Sequence, residues 1–335
     1  MKAFEYAGPT SVDEALTLLG GSDDAAALSG GTDLISRMKD YVTSPARVVY
    51  LKDVKALAGI TGDAKADGLT IGAGTTLADL LDHKGVKEHY KALWQAADEV
   101  GTPQIKNMAT VGGNLMQRPR CWYYRAGNGL LAMKDGKSLV RDGDNRYHAI
   151  FMTDGNALFV SPSSLAVALV ALGAKAVVKG AKGERTVAVE DLYQVPKKDG
   201  DRELTVGTNE LLTKVILPAA GGLNATYEAR QKLAHDWPLV LASVNLTTEG
   251  DKVSNARVVI YGVAPVPYRS EAAEKAITGK AVTQDTAAEA GAAAVEGAKP
   301  LSGNAYKVTL TKTVVKRALL LAALKAGEKP YWEGA

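Results

Sequence analysis

Hydrophobic positions return at three- and four-residue spacing soon after the start of the chain. Ser11-x-x-Glu14 reads as a capping box, Val12, Ala15, Leu16 and Leu19 form one apolar face, and Gly20-Gly21 stops the helix. The run Ala25 to Leu28 reads as a short buried strand that ends in Ser29-Gly30-Gly31-Thr32-Asp33. A helix from Asp33 to Tyr41 and a strand from Arg47 to Leu51 complete a strand–helix–strand unit. Further on, Gly68 to Gly74 is strand-like. Thr76 and Asp79 cap a helix carrying Leu77, Leu80 and Leu81, and Lys87 to Val100 has the pattern of one long amphipathic helix. The stretch Arg118 to Arg146 is polar and glycine-studded and reads as a long loop, a feature uncommon unless it is functional. A helix over Leu165 to Ala174 and a strand over Lys175 to Lys179 follow.

Composition shifts at Pro218-Ala219-Ala220-Gly221-Gly222, which marks a boundary. Beyond it, Leu239 to Thr247 and Lys252 to Tyr261 read as strands, and Ser270 to Thr278, Gln284 to Gly297 and Tyr306 to Leu324 as helices. Strands followed by helices indicate an α+β unit. The 335 residues suit two or three packed units, and 46% apolar residues suffice for a sizeable core.

Charge and cysteine content exclude several functions. The balance of 40 basic and 37 acidic residues gives +3, no electrostatic case for nucleic acid. No window reaches the roughly 18 apolar residues of a membrane span. Met1 to Tyr6 lacks the basic and apolar regions of an export signal. With Cys121 as the single cysteine there is neither an internal disulfide nor a thiolate-built cluster, and His83, His89, His148 and His235 are not at metal-ligand spacing.

Two segments carry candidate chemistry: Ser29-Gly30-Gly31-Thr32-Asp33-Leu34, between a strand and a helix, and Thr110-Val111-Gly112-Gly113-Asn114. Paired glycines let backbone approach a ligand and turn amides toward one point, hydroxyls add donors, and the helix after the first loop adds its positive end. Together they suit a pyrophosphate; either alone is more often a tight turn. No Gly-x-Gly-x-x-Gly follows an early strand and no Gly-Lys-Ser/Thr occurs, which argues against Rossmann and P-loop sites. Cys121 has no histidine nearby in sequence to activate it. Trp122-Tyr123-Tyr124, between Arg120 and Arg125, suits either stacking on a flat ring or plugging an interface. Asp236-Trp237 suits either a cofactor contact or a surface salt bridge.

Taken in order, these segments resemble the FAD-binding medium subunit of the xanthine dehydrogenase, carbon monoxide dehydrogenase and aldehyde oxidoreductase family. The resemblance rests on Ser29 to Leu34, Leu69 to Thr76, Gln104 to Leu115, Glu210-Leu211-Leu212 to Pro218, Ala264-Pro265 through Arg269 with Ala273-Glu274 and Gly279, and Leu301 to Leu324. It implies an α+β architecture: a p-cresol methylhydroxylase-like FAD-binding fold in two lobes, residues 1–58 and 59–220, followed by a C-terminal α+β domain, residues 221–335. It places the FAD pyrophosphate on Leu28, Ser29, Gly30, Gly31, Thr32, Asp33 and Leu34, with Thr110, Gly112, Gly113, Asn114 and Leu115 completing the site and Lys232 approaching the flavin from the C-terminal domain. No catalytic acid or base is expected.

The implied role is electron relay: a partner with the molybdenum cofactor oxidises the substrate, [2Fe–2S] centres of a small subunit carry the electrons, and FAD here passes them to an external acceptor. The nearest branch is the bacterial aldehyde oxidoreductase type, whose long loop carries cysteines for an extra [4Fe–4S] cluster; here only Cys121 stands in that loop, and one thiolate cannot hold four irons. Ser164 stands where the family commonly has Asp. The expected assembly is a heterotrimer, in the cytoplasm, or in the periplasm if a signal-bearing partner exports it. The other readings are an FAD-free bridging subunit and a stand-alone FAD reductase of the same superfold.

Overall fold

The computed structural model describes residues 1–22, 24–232, 236–325 and 327–332. Its first sheet contains β1 (Glu5–Ala7), β2 (Ala25–Leu28) and β3 (Arg47–Tyr50), all parallel in the order β1-β3-β2. Parallel neighbours need crossovers. Here these include α1 (Val12–Gly20) and α2 (Leu34–Lys39). Ser11 caps α1 by accepting from the Glu14 amide, as its spacing predicts. Ala15 and Leu19 of α1 pack on Val49, while Leu34 and Met38 of α2 pack on Val48, so the two helices cover side chains of opposite parity on β3. Tyr41, at φ 56, lies just beyond the end of α2.

The second sheet is antiparallel and begins with β4 (Ile60–Thr61) and β5 (Leu69–Gly72). The helices α3 (Leu77–Asp82), α4 (Lys84–His89), α5 (Lys91–Asp98), α6 (Pro103–Met108) and α7 (Val111–Leu115) follow. One long helix was expected over Lys87 to Val100, and the structure divides it at Tyr90, whose φ of −117 and ψ of 58 leave the helical region. The break places the buried Tyr90 hydroxyl where it donates to the carbonyls of Ala64 and Pro218. Periodicity registers an apolar face; it does not register a hydroxyl drawn away from the helix axis.

The stretch expected as a loop is also more organised than its polarity suggests. It contains α8 (Trp122–Arg125) and a hairpin of β6 (Met133–Lys134) and β7 (Lys137–Ser138). Asp135 and Gly136, both at positive φ, form the hairpin turn. Leu131 with Phe159, and Ala132 and Val140 with Leu158, anchor the excursion to the irregular run before α9 (Ser164–Ala171).

Every residue of α9 is buried, as the unbroken apolar run from Leu165 to Ala171 requires. The second sheet closes with β8 (Lys175–Gly180), β9 (Gly183–Ala188) and β10 (Leu211–Leu217), in the order β4-β5-β10-β8-β9. The third sheet is an antiparallel run of β11 (Leu223–Arg230), β12 (Pro238–Glu249), β13 (Lys252–Tyr261) and β14 (Tyr268–Arg269), backed by α10 (Glu271–Ile277), α11 (Gln284–Ala293) and α12 (Tyr306–Ala323). Leu241 and Val259 of this sheet join the same core as α9, which ties the last unit to the second.

Candidate functional site

The two glycine loops meet. Ser29 Oγ lies 3.0 Å from Thr110 Oγ1, and Gly30 passes so close to α6 that a Cβ there would sit 2.0 Å from the Met108 carbonyl oxygen. Gly31 follows at φ 74, a left-handed conformation that favours glycine. Together the loops border a cleft of about 380 Å³ whose far wall is Leu204, Val206, Leu211 and Leu212.

The loops use their backbones differently. In the second, the Val111 amide donates to Thr75 O, Gly112 to Ala73 O, Gly113 to Thr110 Oγ1 and Asn114 to Thr110 O. In the first, the amides of Gly30, Gly31, Thr32 and Asp33 have no acceptor among the described residues. Four consecutive uncommitted N–H groups beside a cleft suit an anion.

Asp33 gathers the surrounding charge. Its Oδ1 accepts from Arg120 and Arg125, and its Oδ2 from Arg37 and the Arg118 amide. Burial alone would raise its pKa, but Arg120, Arg37 and Arg125 together hold the carboxyl at about 2, below the ordinary 3.8. Arg118 makes a bidentate pair with the buried Glu203. A fifth guanidinium, Arg202, also lines the cleft. The polar excursion thus folds back onto the first loop: Arg118 lines the cleft, while Arg120 and Arg125 hold Asp33 from outside its lining.

Of the residues expected here, Leu28, Ser29, Gly30, Gly31, Thr32, Asp33, Leu34, Thr110, Gly112 and Gly113 line the cleft. Asn114 and Leu115 stand behind it: Asn114 Oδ1 accepts from Ser163, and Leu115 is fully buried in the main core. Lys232 is exposed and is not part of the lining, and residues 233–235 beside it lie outside the described residues. At Gly112 a Cβ would press on Ala73, at 2.8 Å, so the protein's own packing already requires a glycine there. Ser164 sits in the first turn of α9 with 8% exposure, away from the cleft, and its neighbour Ser163 makes the polar contact to Asn114. Sequence reasoning quoted Arg118, Arg120 and Arg125 only for a resemblance and an aromatic cluster. It passed over Arg37, Arg202 and Glu203, which have no local pattern.

Cys121 is a correction. The fold brings His148, distant in sequence, to 3.2 Å from its Sγ. Their protonation is that of a neutral pair: burial pushes the thiol up, and burial with the Lys307 charge holds the imidazole at about 4. Both line a second cavity of about 210 Å³ with Trp122, Phe159 and Trp237. Trp122 packs edge-on against Tyr147 and His148, and Arg120 stacks 4.8 Å from the Trp237 ring. Among the described residues no group of three or more His, Cys, Asp or Glu side chains is placed to hold a metal.

The cleft combines the four free amides with the guanidiniums of Arg37, Arg118 and Arg202, a donor set suited to an anionic ligand. The model for the FAD binding domain in molybdopterin dehydrogenase matches residues 2–220, and that for the CO dehydrogenase flavoprotein C-terminal domain matches residues 225–322. The chain belongs to this family of FAD-binding oxidoreductase subunits of molybdenum hydroxylases. It is 29% identical to the aldehyde oxidoreductase FAD-binding subunit PaoB of Escherichia coli, over 97% of this chain and all of that one. It is 28% identical to the carbon monoxide dehydrogenase medium chain of Hydrogenophaga pseudoflava, over 94% of this chain and 96% of that one. Among solved structures, a carbon monoxide dehydrogenase from the same organism superposes with a TM-score of 0.74 at 27% identity, covering 96% of this chain and 97% of the other.

Proposed function

We propose that this subunit is the electron outlet of a molybdenum hydroxylase: it receives electrons from [2Fe–2S] centres of a small partner subunit and passes them to an external acceptor, while a large partner holding the molybdenum cofactor oxidises the substrate. The observation that carries the FAD part of this reading is the row of four free amides, Gly30 to Asp33, in a cleft rich in arginine. Bound FAD supplies a two-electron carrier there. The chain's own task is to hold the diphosphate on the first loop, brace that loop from Thr110, and face the rest of the cofactor with the apolar wall of Leu204, Val206, Leu211 and Leu212. Leu28 to Leu34 with Thr110, Gly112 and Gly113 form the contact set; Asn114 and Leu115 support it from behind. Lys232 and the Arg118–Arg125 segment remain assigned to the flavin's approach and to a subunit contact, respectively.

The large and small subunits complete a heterotrimer, and the division into units 1–58, 59–220 and 221–335 goes with it. Among the described residues no helix is long and apolar enough to cross a membrane. We place the complex in the cytoplasm, or in the periplasm where a partner's signal exports it.

The test is a purified complex separated into subunits. The expected outcome is one FAD bound by this chain and no iron retained on it, with iron and molybdenum on the others. A flavin-free complex that still assembles would favour the bridging reading. A chain that carries FAD yet never associates with iron or molybdenum subunits would favour a stand-alone reductase.

A further inference from the structure

The cleft extends past the first loop and along the strand that leads into it. Asp24, Ala25, Ala26, Ala27 and Leu28 all line it, ahead of Ser29 to Leu34. Side chains of a strand alternate between its two faces, so a cavity on one face would be lined by every second residue. A lining of consecutive residues means that the cleft meets β2 at its edge. That edge is unpaired: in the order β1-β3-β2, only β3 pairs with β2. The Arg47 amide donates to Asp24 O and the Leu51 amide to Leu28 O, so the alternate residues Asp24, Ala26 and Leu28 turn their backbone toward β3. Ala25 and Ala27 turn theirs the other way, and their N–H and C=O groups have no partner among the described residues. Ala25 is half-buried and Ala27 is exposed, so these groups are within reach of a ligand.

An open strand edge is a row of donors and acceptors spaced for another strand. A parallel neighbour would answer the C=O of one residue and the N–H of the residue two further on with one N–H and one C=O of its own. An adenine carries such a pair on one rim, where the exocyclic N6–H donates and ring N1 accepts. We propose that the free edge of β2 is the adenine subsite of the dinucleotide: Ala25 C=O accepts from N6–H, the Ala27 N–H donates to N1, and the wall of Leu204, Val206, Leu211 and Leu212 covers the base. This deepens the FAD reading above and rests on it. The strand ends in the Gly30–Asp33 amides, so a diphosphate held there leaves one half of the cofactor to run back along β2. The Ala27 amide lies three residues before that of Gly30, roughly 10 Å of extended chain. That is the reach of a ribose with its base, whereas the five-carbon ribityl chain carries the outer rim of the flavin further from the diphosphate. Three successive alanines keep side-chain bulk away from the edge.

The experiment uses the full-length chain stripped of flavin and titrated with two dinucleotides, FAD and its hypoxanthine counterpart, in which an oxo group replaces the exocyclic amine and N1 carries a hydrogen. The exchange reverses both contacts and leaves the flavin, the sugars and the diphosphate unchanged. Wild type is expected to bind the hypoxanthine dinucleotide roughly tenfold or more weakly than FAD. Equal affinities overturn the assignment, and they are the result if the flavin ring occupies the edge instead. Ala27→Pro removes the N–H at an outward-facing edge position, where proline is tolerated. It should weaken FAD binding roughly tenfold and narrow the gap between the two dinucleotides, while the flavin-free chain melts near the wild-type temperature. A gap as wide as that of wild type overturns the role of the Ala27 amide. Should Ala27→Pro fail to fold, the two dinucleotides on wild type decide alone. A failure of the underlying FAD reading is distinct: wild type would then bind neither dinucleotide.

Discussion

The two glycine loops look alike in sequence and do opposite work. Ser29 to Leu34 keeps the amides of Gly30, Gly31, Thr32 and Asp33 uncommitted, whereas Thr110 to Asn114 spends its amides on Ala73, Thr75 and on Thr110 itself. The first leaves its donors open beside the cleft; the second is a helix start with its N-cap satisfied, pressed against β5's extension at Ala73. A Gly-Gly pair therefore says only that backbone comes close to something. Whether that something is a ligand or the protein's own carbonyls depends on tertiary partners.

The contact between the loops is where a substitution has its largest effect. A Cβ on Gly30 would overlap the Met108 carbonyl at 2.0 Å, which is backbone and has little room to yield. Gly30→Val should separate the loops, empty the cleft of flavin and lower stability by about 3 kcal/mol, the upper end of overpacking costs. Denaturant melts of the flavin-free chain and flavin absorbance of the purified complex check both halves. A variant with normal stability and normal flavin content would show that the loops do not dock this closely.

Next comes the charge that distinguishes the first loop from the second. Asp33→Asn leaves the five guanidiniums with Glu203 alone, and removing one partner of a largely buried ion pair costs about 3 kcal/mol. The wild type carries the same effect in its pH dependence. With the folded value at about 2 and the ordinary value at 3.8, Asp33 contributes stability that is fully present above pH 4 and is lost as pH falls through 2. The difference of roughly two pH units corresponds to about 2 kcal/mol. Stability measured between pH 5 and pH 2 should fall less steeply in Asp33→Asn than in wild type, and parallel curves would remove Asp33 from its assigned role.

How much of this was legible in advance follows from what sequence encodes locally. The capped α1, the strand before Ser29, β12 and β13 after Pro218 and the long α12 all announce themselves through periodicity and turn residues, whereas β11 and β14 of the same sheet did not. The family resemblance likewise located both loops. The arginine cluster beside the cleft was not legible, because Arg37, Arg118, Arg120, Arg125 and Arg202 come from three separate segments and converge only when the excursion after Leu115 folds back. The Cys121–His148 contact was hidden for the same reason. The hairpin at Asp135-Gly136 is different: its signal was present in the sequence, and the surrounding polarity obscured it.

The comparison sharpens to a single methyl group placed on each loop. Gly31→Ala puts a Cβ on a residue at φ 74, 3.1 Å from Ile35 Cγ1, in the middle of the free amides. The strain is about 1 kcal/mol, small against the whole fold, but relieving it reorients the N–H groups that face the ligand. Gly113→Ala instead puts a Cβ 2.9 Å from Thr110 Oγ1, the atom that caps α7 and lies against Ser29. Losing such a cap costs about 1 kcal/mol as well. Equal costs should therefore appear in different measurements. Gly31→Ala should weaken FAD binding more than it lowers the melting temperature of the flavin-free chain. Gly113→Ala should lower that temperature with a smaller change in FAD affinity. If both variants lose affinity and stability in the same ratio, the loops share one role, and the division between a ligand loop and a bracing loop is wrong.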